Sequence, residues 1–444
     1  MSETARRTIA LLAVVAAVSA PALLLRALCV GASCERREAP TATVPFCSLP
    51  RPVRDRLVAG FRDGRSPDVL AVAGPETPVA GADGYERLAP PWPSAGDEAV
   101  RVPLAFAGAA VRADVPAGTG LVQVAPTIAG VIRLERPFPE VRSGAPIPGV
   151  HVPEAPRLVL LVVWKGVDSA DLEARLGRWP TLEAIVAAGS GTLDADPGSL
   201  PVDPTAVMAT IGTGGMPAEH GITGSVVRND AGEAVAAWGP DAPFSVIAAL
   251  GDDLDDVLGQ APRIGVVGTS RLDRGLIGED WYVEHDRDDE VLVGSAAEAV
   301  EAARHLLATG YGEDDAPDLL AVALEGPLGA MDRATRDLLE LAFGASGGAA
   351  ALGVVTATGS TSPRGEALDA GSVAEQVERK TDAAGLVEAT ATGGLFIRQE
   401  LLAGGVTSQD RVIRALASVE GDGRVPVMAD AFAGTAIEFG RFCR

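Results

Sequence analysis

The sequence predicts an α/β protein with a mainly parallel sheet and helices on both faces. Apolar runs of five to seven residues recur along it, short enough for strands and mostly free of charge. Segments with helical period separate most of them, the spacing of strand and crossover helix in a parallel sheet. An apolar content of 47% over 444 residues is ample to bury such a sheet on both sides.

In chain order, the helical pattern Val53–Phe61 is followed by the runs Val69–Ala73 (VLAVA) and Val102–Ala107 (VPLAFA). Leu158–Trp164 (LVLLVVW) carries no polar side chain except its terminal indole, and a strand covered on both faces has no side on which to expose one. Leu172–Leu176, Thr181–Ala188 and Phe244–Leu258 read as helices, and the acidic stretch GDDLDDVLGQ at the end of the last reads as a solvated helix face. Ile264–Gly268, Leu319–Leu324 and Leu352–Ala357 read as further buried strands. Ala296–Ala308, Ala330–Phe343 and Ser408–Ala417 complete the expected helices, and no solenoid-length repeat is present.

The amino terminus has Arg6 and Arg7 and then 18 uncharged residues from Thr8 to Leu25, long enough to span hydrocarbon. The expected layout is a cytoplasmic tail at 1–7, a transmembrane signal-anchor at 8–28, a linker at 29–46 and one domain at 47–444. Arginines on the inner side place that domain outside the cytoplasm, at the plasma membrane of a single-pass protein. A cleaved signal peptide is the competing reading, and proline at position 21 disfavours cleavage after Ala20. The formal charge of −23, from 60 acidic and 37 basic residues, leaves no basic face for a nucleic acid. The four cysteines, Cys29, Cys34, Cys47 and Cys443, lie outside the predicted elements, and an exported domain would oxidise them.

Two groups of motifs carry a resemblance. RWPTLEAIVAAGSGTLDADPGSLPVDPTAVMATIGTGGMPAEHGITG, residues 178–224, resembles the alkaline phosphatase superfamily, and within it the type I phosphodiesterase and nucleotide pyrophosphatase group. Upstream, GFRDGRSPDVLAVAG at 60–74, PPWPSAGDEAVRVPLAFAGAAV and LVQVAPTIAGVIRLERPFPE resemble the last third of such enzymes. That third would ordinarily follow the first group. Residues 47–150 therefore correspond to the family's C-terminal part and 151–444 to its N-terminal and middle parts, which implies one circularly permuted domain in preference to two tandem copies. A permuted domain needs its former ends close together. The resemblance thus implies a Cys47–Cys443 disulfide where the lost peptide connection once ran.

Active relatives hold two zinc ions with carboxylates and histidines, and the resemblance assigns those ligands to five stations. The carboxylate expected after Leu158–Trp164 is Lys165, whose ammonium offers a metal no lone pair; the plain alternative is a lysine on the surface beyond the strand end. The nucleophile position falls on Pro204, with Thr205 one residue late and available either as a displaced nucleophile or as a helix cap beside Asp203. The Asp-x3-His loop expected after DLLAVALEG is absent, the chain running through Glu325-Gly326 into PLGAMDRATRDLLELA. The Asp-His-Gly expected after ALGVVT reads Ala357-Thr358-Gly359-Ser360, and no histidine precedes His151. Of the four histidines, His220 stands in a motif position that is structural in relatives, His305 lies on a predicted helix and His285 lies in a charged loop.

The expectation is a pseudoenzyme: the framework kept, the zinc ligands absent, and a vestigial site of Lys165, Asp168, Asp203, Thr205, Glu325 and Thr358 that binds a phosphoester ligand or a protein. In it Lys165 would neutralise Glu325 or Asp168. The alternatives are an active phosphodiesterase with a relocated site, using Thr205, Asp203, Asp168 and Asp332 with a single metal, and a purely structural envelope scaffold.

Overall fold

The computed structural model describes residues 45–443, apart from 75–77, 95–96, 98–99, 109–110, 280, 283–286, 348–349 and 360–365, and excepting the side chain of residue 423. The expected tail, anchor and most of the linker, with Cys29, Cys34 and His285, lie outside the described residues. Among the described residues no helix is long and apolar enough to cross a membrane.

A seven-stranded sheet forms the centre. Its order is Asp289–Leu292, Ile264–Gly268, Asp318–Leu324, Leu158–Trp164, Ala351–Ala357, Val102–Ala107, Gly191–Ala195. The first five are parallel neighbours, while Val102–Ala107 runs antiparallel to both strands beside it. All seven residues of Leu158–Trp164, Asp318–Leu324 and Ala351–Ala357 are buried, which accounts for their unbroken apolar runs. The register aligns Trp164 with Leu324 on one side and with Ala357 on the other. The next residues of three adjacent strands, Lys165, Glu325 and Thr358, therefore emerge level at the carboxyl edge of the sheet.

A second sheet is antiparallel throughout, in the order Val387–Ala391, Gly394–Ile397, Val69–Ala73, Met428–Ala433. Successive side chains of a strand point to opposite faces. Accordingly Leu70 and Val72 join the main core, while Val69, Ala71 and Ala73 join a second one with Trp92, Val373, Val377, Leu416 and Met428. One strand from near the start of the domain is thus paired on both edges with strands from its last sixty residues. The ends meet as well: Cys47 and Cys443 form a disulfide with Cα atoms 5.4 Å apart across 396 residues of sequence. Beside it Phe46 packs edge-on against Phe432, with ring centroids 5.2 Å apart.

Several elements differ from expectation. The helix expected from Phe244 begins only at Leu250, because Ala249 is extended and its N–H is capped by the Asp252 carboxylate at 2.6 Å. Its acidic stretch is solvated only from Asp256 onward: Asp252, Asp253 and Asp255 are buried, and Asp253 takes Arg136 at 2.5 Å and Arg142 at 3.0 Å. Burial raises the Asp253 carboxyl above its usual range, and the two guanidiniums oppose that shift. The expected helix Leu172–Leu176 occupies Ser169–Ala174 instead, started by the Asp168 cap. The strands Gly191–Ala195 and Asp289–Leu292 and all of the second sheet except Val69–Ala73 were not among the expected elements, nor were the helices Val124–Ile132, Pro204–Thr213 and Ala370–Thr381.

Candidate functional site

Lys165 follows the central strand but does not lie on the surface: it is 4% exposed. Its Nζ donates to Asp273 Oδ1 and to Thr269 Oγ1, both at 2.8 Å, and lies 3.6 Å from Glu325 Oε2. The Thr269 hydroxyl donates in turn to Glu325 Oε2 at 3.0 Å, closing a ring of ammonium, hydroxyl and carboxylate with Asp273 on the ammonium's other side. The other Asp273 oxygen accepts the backbone N–H groups of Thr269 at 2.8 Å and Ser270 at 3.2 Å. A buried ammonium persists only with such partners, because desolvation without them costs several kcal/mol. Thr358, fully buried, accepts the Gly166 N–H at 3.1 Å and so fixes the turn that starts the lysine inward.

Of the anticipated site residues, the structure brings Lys165, Glu325 and Thr358 together. Asp168 does a different job: its carboxylate caps the helix Ser169–Ala174 by accepting the Asp171 N–H at 2.7 Å. Asp273 and Thr269 were missed. Their signal was present in GTSRLDRG, where a buried strand ends and Ser270 stands three residues before Asp273, a capping box that opens the short helix Arg271–Leu276.

Asp203 and Thr205 form a second cluster. The helix Pro204–Thr213 is buried at every residue, and its cap is Asp203, not Thr205. Asp203 Oδ1 accepts the Thr205 N–H at 2.9 Å and the Tyr85 hydroxyl at 2.6 Å, and Oδ2 accepts the Thr392 hydroxyl at 2.7 Å. Tyr85 also lies 2.9 Å from Thr205 Oγ1, which has no exposed surface. Burial first, and the Asp203 charge second, push the Tyr85 hydroxyl well above the usual phenol range, so it stays protonated and donates. Burial likewise raises the Asp203 carboxyl, against the hydrogen bonds of the two hydroxyls and of the Thr205 and Ala206 N–H groups. Thr205 is therefore sealed beneath Tyr85. Asp332, counted in the relocated-site alternative, is spent elsewhere: it caps the helix Pro180–Ala187 through the N–H groups of Thr181 and Leu182, each at 3.1 Å. His220 is buried between Thr210 and the Ile222 N–H, each at 3.1 Å, as its motif position implied.

The described residues at the Lys165 corner leave no free carboxylate or imidazole for a pair of zinc ions. At the end of Leu158–Trp164, where the motif resemblance implies a metal carboxylate, there is a lysine, and Asp273 and Glu325 beside it already accept hydrogen bonds from it or from Thr269. Among the described residues no group of three or more His, Cys, Asp or Glu side chains is placed to hold a metal ion. What the edge does offer is a hollow of about 490 Å³. Lys165, Gly166, Arg175, Arg178 and Glu325 line it together with Leu328 and Gly329, the first residues of the helix Leu328–Ala345. A smaller hollow of about 270 Å³ shares Lys165 and Glu325 and is bounded by Tyr85 and Thr269.

Neither a protein-family model nor a curated protein matches this sequence. Among solved structures, it is similar to phosphonoacetate hydrolase from Sinorhizobium meliloti 1021, determined in complex with phosphonoacetate, at a TM-score of 0.27 and 17% identity. The match covers 42% of this chain and spans about half of that one, 54%.

Proposed function

We propose that this chain is a circularly permuted, phosphodiesterase-like protein that binds an anionic ligand without hydrolysing it. Its uncharged amino-terminal segment Thr8–Leu25 would hold it at the outer face of the plasma membrane. The observation that carries the reading is the Lys165 cluster: an ammonium, shared by Asp273 and Glu325, fills the corner where the motif resemblance places a zinc ligand. Phosphate-ester hydrolysis of that type depends on metal charge at the transferring oxygens, and this corner supplies none. The permutation is supported by Val69–Ala73 pairing on both edges with strands from the end of the chain, and by the disulfide across the joint.

Lys165 itself is not the anion receptor, since its charge is already met. The 490 Å³ hollow beside it has better means. Arg178 stands on its rim beside Arg175, which is paired with Asp171 at 3.4 Å, and the 18-residue helix Leu328–Ala345 begins there with no side-chain cap and no acid in its first turn. Free N–H groups and the helix dipole favour a phosphate or similar oxyanion at that end, and a guanidinium binds one with two parallel hydrogen bonds. Thermal melting with bis(p-nitrophenyl) phosphate, and separately with inorganic phosphate, tests this. The expected result is a concentration-dependent rise in Tm that Arg178→Ala removes without lowering the ligand-free Tm. An unchanged Tm at millimolar concentrations of both would refute ligand binding in the hollow.

A further inference from the structure

The domain's first described residue, Pro45, and its last, Cys443, belong to one corner. Phe46 is 5% exposed and packed so closely on the terminal turn that a Cβ added to Gly440 would lie 2.2 Å from its ring. Cys47 is bonded to Cys443, and the Cys443 N–H closes the turn on Gly440 O at 3.0 Å. The short helix Phe439–Phe442 is thereby fixed beside the point where the chain enters the domain from residues 1–44. On that helix two large aromatic side chains face solvent, Phe439 at 61% and Phe442 at 66% exposure, with ring centroids 6.3 Å apart. Arg441 lies between them in sequence, its guanidinium 5.0 Å from the Phe442 ring.

From these observations we infer that the Phe439–Phe442 turn is a membrane-docking surface that inserts its two phenylalanines into the outer leaflet of the phospholipid bilayer holding the chain's own anchor. The inference rests on the anchor reading of residues 8–28. Roughly 20 residues separate Arg26 from Pro45, so the entry corner lies within about 70 Å of the bilayer at full extension. A tether of bounded length raises the local concentration of lipid at the corner it is attached to above that at any other face. Two exposed aromatic rings gain by leaving water at the headgroup boundary, and the neighbouring guanidinium can reach lipid phosphate while its stem lies along the rings. The disulfide and the Phe46 contact give the turn a rigid footing, so that its rings reach the leaflet without local unfolding.

The test uses the full chain in vesicles of phosphatidylcholine and phosphatidylglycerol. Phe439→p-benzoylphenylalanine, Phe442→p-benzoylphenylalanine and, for comparison, Phe244→p-benzoylphenylalanine, at a position 56% exposed outside the terminal turn, are each photolysed. Lipid adducts are then counted by mass spectrometry. Alkaline carbonate extraction of the same vesicles reads the anchor separately. The expected result is carbonate-resistant chain with at least tenfold more lipid adduct at 439 and 442 than at 244. Carbonate-resistant chain with no adduct at 439 and 442, or with equal adduct at 244, overturns the docking and leaves the anchor standing. Chain released by carbonate overturns both.

Discussion

Replacing Lys165 with methionine removes the ammonium while keeping much of its volume, and leaves Asp273 and Glu325 facing each other across the space it held. Lys165 and Asp273 side chains are 2% and 1% exposed, so Asp273 has little access to water in place of the lost partner. Breaking a buried ion pair from one side costs about 3–5 kcal/mol. Here the lower end applies, because Asp273 keeps the N–H groups of Thr269 and Ser270 and Glu325 is 13% exposed. A loss of about 3 kcal/mol in a domain of roughly 400 residues, whose unfolding entropy is about 0.8 kcal/mol/K, lowers Tm by about 4 °C. Calorimetry of wild type, Lys165→Met and Lys165→Met/Asp273→Asn reads this directly. The double variant is expected to recover about half of the loss, because the amide that replaces the Asp273 carboxylate carries no charge to be left unpaired. If Lys165→Met melted within 1 °C of wild type, the ammonium would not be the counter-ion of this corner and the account of the site would fail.

Burial lowers the His220 imidazole to about 3, below its unfolded value of about 6.5, with the nearby Arg62 charge contributing. The unfolded chain takes up that proton first, so this contribution is fully present above pH 6.5 and is lost as pH falls toward 3, at up to about 1.4 kcal/mol per unit. His220→Gln is expected to flatten the pH dependence of urea unfolding by up to one proton in that window, and an unchanged slope would contradict it. Removing the disulfide with Cys47→Ser/Cys443→Ser is expected to cost about 2–5 kcal/mol of folding free energy, since the cross-link closes nearly the whole domain; a loss below about 1 kcal/mol would show that the ends are held without it. Gly212 faces the backbone of the turn Arg271–Leu276, where an added Cβ would sit 2.1 Å from Gly275 O and 2.9 Å from Leu276 C. Neither side can yield as a flexible side chain would, so Gly212→Ala is expected to destabilise by about 3 kcal/mol, measured in denaturant; a change below 1 kcal/mol would contradict that packing.

The strands buried on both faces were legible because nothing but continuous apolar sequence can fill them: Leu158–Trp164 and Val69–Ala73 emerge with the bounds expected. The rest of the second sheet was not, because MADAFA and VEATA are rich in alanine and each interrupted by an acid, and so carry little β signal. MADAFA becomes a strand by pairing with residues more than three hundred positions away, which no local window contains. Beyond its cap, the extent of the helix Pro204–Thr213 escaped for a different reason: it is buried all round, so it has no polar face from which a period can be read. At the site, the oddity of Lys165 was visible at once, but its partner was not. Glu325 could be placed by its strand, whereas Asp273 arrives from a capped turn after another strand, and Tyr85 reaches Thr205 from 120 residues upstream. The same limit explains why Thr205 was read as a cap: the competing acceptor, Asp203, lies two residues before it, and only the geometry shows which of the two takes the N–H groups of the first turn.

Zinc content of the purified full chain, measured by mass spectrometry alongside hydrolysis of bis(p-nitrophenyl) phosphate in zinc-supplemented buffer, bears most directly on the central claim that the Lys165 cluster stands in place of the metals. The account predicts well under one zinc per chain and no turnover above the buffer rate. One or two zinc ions per chain, with turnover abolished by Thr205→Ala, would contradict it.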